Sequence, residues 1–164
     1  MKNKLLSLSV ITSLCAGSMF LSQCKKECAQ GYTGRKCDEQ KTPTSITITK
    51  VTVNSFCNGC DPDEAQPDIY IDITDENNNV LYTGVNSNYS NVTSGTGSWY
   101  WNPNITINPS LQYKMKLYDD EGILTDDLLH SCIFSPYSSG ERFPSSKTHS
   151  CSPFSFTNSL TYAW

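Results

Sequence analysis

Residues 113–129 read Tyr113-Lys114-Met115-Lys116-Leu117-Tyr118-Asp119-Asp120-Glu121-Gly122-Ile123-Leu124-Thr125-Asp126-Asp127-Leu128-Leu129. Tyr113, Met115 and Leu117 alternate with Lys114 and Lys116, the period-two pattern of a strand with one face in a core and one in water. An acidic break follows, and a second apolar run extends from Leu128 to Phe134. The same reading applies outward along the chain. Ile69, Ile71 and Ile73 alternate with Tyr70 and Asp72. Ile46, Ile48, Val51 and Val53 lie in a Thr-rich run whose alternation slips by one near Lys50, which predicts a β-bulge. Glu76-Asn77-Asn78-Asn79 reads as a hairpin turn into Val80–Thr83, and Gly84 to Ser98 as a polar connection. Trp101 to Ile107 and Phe154 to Tyr162 complete about eight strands. No helix signal or internal repeat is present. The expected fold is therefore all-β, an antiparallel sandwich occupying residues 43–164.

The chain has 164 residues and a mass of 18.3 kDa, enough for one domain with short additions. A formal net charge of −4 excludes nucleic acid as an expected partner. Eight cysteines in so short a chain point to an oxidising compartment.

The N-terminus agrees with export. Met1–Lys4 supply a positive start, and Leu5 to Leu21 form a mostly apolar run, which is signal-peptide architecture over residues 1–23. Leu21-Ser22-Gln23-Cys24 resembles a bacterial lipobox, although Gln23 departs from the usual small residue. That resemblance implies lipidation of Cys24 and attachment to a membrane surface. The following Lys25-Lys26-Glu27 looks like the tether of surface-displayed lipoproteins of the Bacteroidetes type, which implies an outer-membrane or cell-surface location. Cys28 to Cys37, with Gly31, Tyr32 and Gly34 between, resembles the last loop of an EGF-like domain, which implies a Cys28–Cys37 disulfide hairpin. Residues 24–42 are thus a lipidated tether with a partial EGF-like loop.

Residues 43–164 carry 13 acidic side chains against five basic ones, and nine of the acids fall in two windows. One is Asp61-Pro-Asp63-Glu64-Ala-Gln-Pro67-Asp68, and the other is Asp119-Asp120-Glu121 through Asp126-Asp127. If both loops meet at one end of a sandwich, their mutual repulsion calls for protonation or a cation. Calcium suits such loops, because it takes about six to eight oxygen ligands in irregular geometry.

Three landmarks resemble a C-two domain, the calcium- and lipid-binding sandwich named for the second conserved region of protein kinase C. They are Asp61 through Asp68-Ile69-Tyr70, then Trp101-Asn102-Pro103, then Leu117-Tyr118-Asp119-Asp120-Glu121 through Asp127-Leu128-Leu129. The resemblance implies calcium ligands at Asp61 or Asp63, Asp68, Asp119, Glu121 and Asp127, with Asp126 as a spare. Glu121 stands where the family carries Asp. The resemblance also implies a phospholipid partner, beside which a protein or glycan ligand stays open.

Cys57-Asn-Gly-Cys60 can mean a redox pair, half a zinc site completed by Cys132 and Cys151, or a disulfide. Export favours disulfides. The four cysteines allow three pairings, of which Cys57–Cys60 with Cys132–Cys151 is the more local. Trp99-Tyr100-Trp101 could stack sugar rings, giving a carbohydrate-binding alternative, although an alternating strand buries part of such a trio. No Gly-x-Ser-x-Gly elbow, His-Glu-x-x-His or phosphate loop occurs, so no enzyme is expected.

Overall fold

A computed structural model describes residues 27–60 and 66–164. The signal peptide, Cys24, Asp61 and Asp63 lie outside the described residues. Eleven strands follow one another: β1 (Tyr32–Thr33), β2 (Glu39–Gln40), β3 (Ser45–Ser55), β4 (Ile69–Thr74), β5 (Val80–Thr83), β6 (Trp99–Trp101), β7 (Ile105–Ile107), β8 (Tyr113–Asp119), β9 (Asp127–Phe134), β10 (Ser146–Cys151) and β11 (Phe154–Ala163). All strand pairings are antiparallel. No α-helix occurs among the described residues; one 3-10 turn spans Val85–Ser87.

Two sheets face each other, one ordered β10-β11-β3-β6 with β7 also on β3, the other β5-β4-β8-β9. The alternation read from the sequence selects the inner faces. Ile46, Ile48, Val51 and Val53 of one sheet are fully buried, as are Ile69, Ile71, Ile73, Met115 and Leu117 of the other. Burial of such a side chain contributes about 1.5–3 kcal/mol, so this interlayer is the main source of stability. The expected bulge is present: Lys50 pairs with Ser159 and Ile48 with Leu160, leaving Thr49 as the extra residue. It restores the inward phase for Val51 and Val53.

Two expectations need correction. The segment expected as one strand from Trp101 to Ile107 is two, β6 and β7, interrupted at Asn102–Asn104. Pro103 cannot donate to a ladder, and Asn104 adopts φ 49°. Strand β10, Ser-Lys-Thr-His-Ser-Cys, has no apolar alternation and was not expected. It is an edge strand paired only with β11, and its register with that strand defines it.

Disulfides join Cys28 to Cys37, Cys57 to Cys60 and Cys132 to Cys151. The last ties β9 to β10, the edge strands of the two sheets. A zinc site built from all four of Cys57, Cys60, Cys132 and Cys151 is therefore replaced by local bonds. The β1–β2 hairpin also has closer ties to the sandwich than a spacer needs. Gly31, at φ +88°, lies so near Phe143 and Trp164 that a Cβ would come within 2.4 and 2.5 Å of their rings. Tyr32 packs edge-on to Phe143 at 5.6 Å, and the Gln40 amide donates to the Glu141 carbonyl and accepts from Gly140 N–H.

Candidate functional site

Strand register decides which loops share an end. Ile69 opposes Asp119, Asp119 opposes Asp127, and Ser55 opposes Ser155. The described residues of segments 56–68, 84–98 and 120–126 therefore emerge together, and backbone bonds knit them. The Asp120 N–H donates to the Asp68 carbonyl at 2.8 Å, Val92 N–H to the Pro67 carbonyl at 3.0 Å, and Ile69 exchanges two bonds with Tyr89. Asp68, the described acid of the first window, thus meets the second window, while Asp61, Asp63 and Glu64 lie outside the described residues. The three segments contain no Lys, Arg or His.

The placement of Asp127 depends on a second bulge. Leu117 pairs with His130 but Tyr118 pairs with Leu128, so Leu129 is the extra residue. Phe134, Cys132 and His130 face inward; without the bulge Leu128 would follow them. Instead Leu128 turns out to solvent at 52% exposure, and Asp127 takes the inner face directly across from Asp119, which is 3% exposed. Like charges directly opposed in an antiparallel pair repel.

The other acids are held by donors around this pair. Asp119 Oδ1 accepts the Asp68 N–H at 2.7 Å, and Asp68 Oδ1 accepts the Asn91 N–H at 2.7 Å. Asp126 accepts Tyr70 O–H at 2.6 Å and Glu121 N–H at 3.2 Å. Burial raises the Tyr70 phenol pKa, and the hydrogen bond to the Asp126 carboxylate raises it further. Asp120, one residue from Asp119, accepts Asn88 Nδ2 at 2.6 Å and Gly122 N–H at 3.0 Å, fixing the turn. Asn88 and Asn91 sit in a polar connection with no pattern to single them out, so sequence reasoning missed them.

The structure thus brings Asp68, Asp119, Glu121, Asp126 and Asp127 to one end. The donor set is oxygen throughout, the three segments supply no basic residue, and a buried carboxylate faces another across the strands. A hard divalent cation fits that chemistry. The acids accept from backbone N–H groups, from the Tyr70 hydroxyl and from the Asn88 side-chain amide. Among the described residues, the one trio of metal-type side-chain atoms within 4.8 Å of one another is a different set, the sulfurs of Cys57 and Cys60 with His130.

The aromatic trio divides. Trp99 and Trp101 are 6% and 2% exposed and belong to the core, because β6 alternates. They cannot stack sugars, which corrects that expectation. Tyr100 remains exposed, with Lys50 Nζ 4.2 Å from its ring centroid. At the crest of segment 120–126, Ile123 is 100% and Leu124 70% exposed.

What the fold and site define is an antiparallel β-sandwich with an acidic loop end. No family model matches the chain, and no curated protein matches it in sequence. Among solved structures, it is similar to human GIVD cytosolic phospholipase A2 in complex with methyl gamma-linolenyl fluorophosphonate, at TM-score 0.40 and 9% identity over 73% of this chain and 16% of that one. A second structure of human GIVD cytosolic phospholipase A2 gives TM-score 0.39 and 13% identity over 73% and 16% of the two chains. With the inhibitor and terbium chloride the enzyme gives 0.40 and 10% over 73% and 17%. The chain thus corresponds to about a sixth of that enzyme's length.

Proposed function

We propose that this chain is a non-catalytic, exported cell-envelope lipoprotein whose C-two-like sandwich binds calcium at its acidic end and docks on phospholipid there. The ligands are Asp68, Asp119, Glu121, Asp126 and Asp127, joined by Asp61 or Asp63. Lipidated Cys24 supplies the standing anchor. The observation that carries the reading is the composition of one loop, acidic where it leaves β8 and enters β9 and apolar at its exposed crest of Ile123 and Leu124.

Two aliphatic side chains entering a lipid interface contribute about 1.5–3 kcal/mol each at full burial, too little for stable attachment alone. The acidic residues of this end would also be repelled by an anionic surface. Bound calcium supplies positive charge and coordination positions that a lipid phosphate can take. The chain's part is to hold the carboxylates together and present Ile123 and Leu124 beyond them.

Vesicle co-sedimentation tests the reading. The protein without its lipid is expected to bind phosphatidylserine-containing vesicles in millimolar calcium, to leave them in chelator, and to lose at least tenfold in affinity as Ile123→Asp/Leu124→Asp. Equal binding by that variant, or binding indifferent to calcium, would reject it.

A further inference from the structure

The Cys57-Asn58-Gly59-Cys60 turn has a third partner that its sequence does not announce. His130 Nε2 lies 2.9 Å from Cys57 Sγ and 3.9 Å from Cys60 Sγ. It also accepts the Cys57 N–H at 3.3 Å, so the Nε2 lone pair is directed to the cysteine turn. The imidazole is fixed on strand β9 and stacked on Phe154 at 5.6 Å with planes 9° apart. The cysteines are fixed by a turn with Gly59 at φ +73° and Cα atoms 5.6 Å apart.

From these contacts we propose that Cys57, Cys60 and His130 form a redox-gated site for a zinc-class ion, independent of the calcium reading. Tetrahedral zinc with Zn–S near 2.3 Å and Zn–N near 2.05 Å sets sulfur-to-nitrogen separations of about 3.6 Å and sulfur-to-sulfur separations of about 3.8 Å. The observed sulfur-to-nitrogen distances of 2.9 and 3.9 Å bracket the first value. Opening the disulfide frees the sulfurs to part toward the second value on Cα atoms already 5.6 Å apart. Two thiolates and an imidazole discriminate against calcium and magnesium, which take oxygen. Cys60 is exposed, which leaves the fourth position to solvent.

The gate is the disulfide, since the thiolate is the metal ligand and the bonded sulfurs carry no such charge. A dithiol reductant gives two electrons to the Cys57–Cys60 bond and becomes a disulfide, releasing two protons. The two thiolates formed then take Zn2+, and its charge is cancelled in the complex. The exchange replaces a bond local to the loop after β3 with a cross-link from that loop to β9. Reduction in the presence of metal therefore joins the two sheets at this point.

The test uses the whole protein, reduced with a phosphine that does not compete for metal, and titrated with Zn2+ and with Co2+ as a spectroscopic probe. In millimolar calcium, which holds the carboxylate end, one equivalent is expected to bind the reduced protein and none the oxidised protein. The cobalt complex should show tetrahedral visible bands with charge-transfer intensity for two thiolates. Cys132→Ala/Cys151→Ala should retain binding, whereas Cys57→Ser/Cys60→Ser should abolish it. His130→Asn should weaken it at least tenfold while its circular dichroism stays that of the parent. Binding unaltered in His130→Asn, dependence on Cys132 and Cys151, or no binding after reduction would each overturn the site. Should His130→Asn not fold, the cobalt spectrum of the parent decides: a four-thiolate or octahedral spectrum rejects the proposal.

Discussion

Replacing Asp127 by Asn should move stability in opposite directions with and without calcium. Without it, the opposed pair Asp119 and Asp127 costs energy, because register holds the two on the same face of β8 and β9. Directly opposed residues have Cβ atoms about 4.5–5.5 Å apart, and a carboxylate separation of about 5.5 Å is taken from that spacing. At an effective dielectric near 40, appropriate to one buried and one half-exposed group, Coulomb's law gives about 1.5 kcal/mol of repulsion, and salt reduces this to about 1 kcal/mol. For a domain of this size, that corresponds to a rise in Tm of about 4 °C for Asp127→Asn in chelator. Calcium reverses the order. At about 100 times its dissociation constant a cation binding only the folded state adds about 2.7 kcal/mol, near 10 °C, and the variant that has lost a ligand should gain little of this. Scanning calorimetry of both proteins, each in chelator and in millimolar calcium, reads four midpoints. Curves that keep the same order in both buffers, or an unshifted parent, would refute the opposed-carboxylate argument.

Cys132→Ala/Cys151→Ala opens a loop of 19 residues in sequence separation and should cost about 3 kcal/mol by the chain-entropy relation, measured by urea unfolding. His149, pressed between Phe134 and Phe156, has its pKa lowered to about 4, chiefly by burial and further by Lys147, with Glu141 opposing. The unfolded chain takes up this proton near pH 6.5 and the folded one only near pH 4, so the contribution is full above 6.5 and falls as pH drops through that window. Because the ring is partly exposed, about 1 kcal/mol should be lost between pH 7.5 and 5, and His149→Phe should flatten that slope in urea titrations. Gly31→Ala places a Cβ against Phe143 and Trp164 at a positive φ, so the β1–β2 hairpin should undock. Proteolysis within residues 28–41 should accelerate while the sandwich melt changes by less than about 1 kcal/mol. Equal cleavage rates would contradict that docking.

Much of the architecture was legible because half-buried strands advertise themselves. Ile69, Ile71 and Ile73, or Tyr113, Met115 and Leu117, can face a core only as alternating strands, and the slip at Lys50 announced its bulge. Strand β10 was invisible, since an edge strand of Ser, Lys, Thr and His gains its place from hydrogen bonds to β11, and backbone pairing leaves no trace in hydropathy. Trp99 and Trp101 were ambiguous for a related reason: alternation says that one parity is buried, but only the facing sheet says which.

By itself the sequence determined an all-β chain with acids concentrated in two loops, because side-chain periodicity and charge are properties of the linear order. Tertiary structure alone decided how those loops are arranged. An extra residue at Leu129 shifts the phase of β9, turns Leu128 out and sets Asp127 across from Asp119. The same register carries His130 inward to Cys57 and Cys60, 73 and 70 residues away in the chain. No local pattern could report that meeting, because strand pairing depends on both partners and on the core they share.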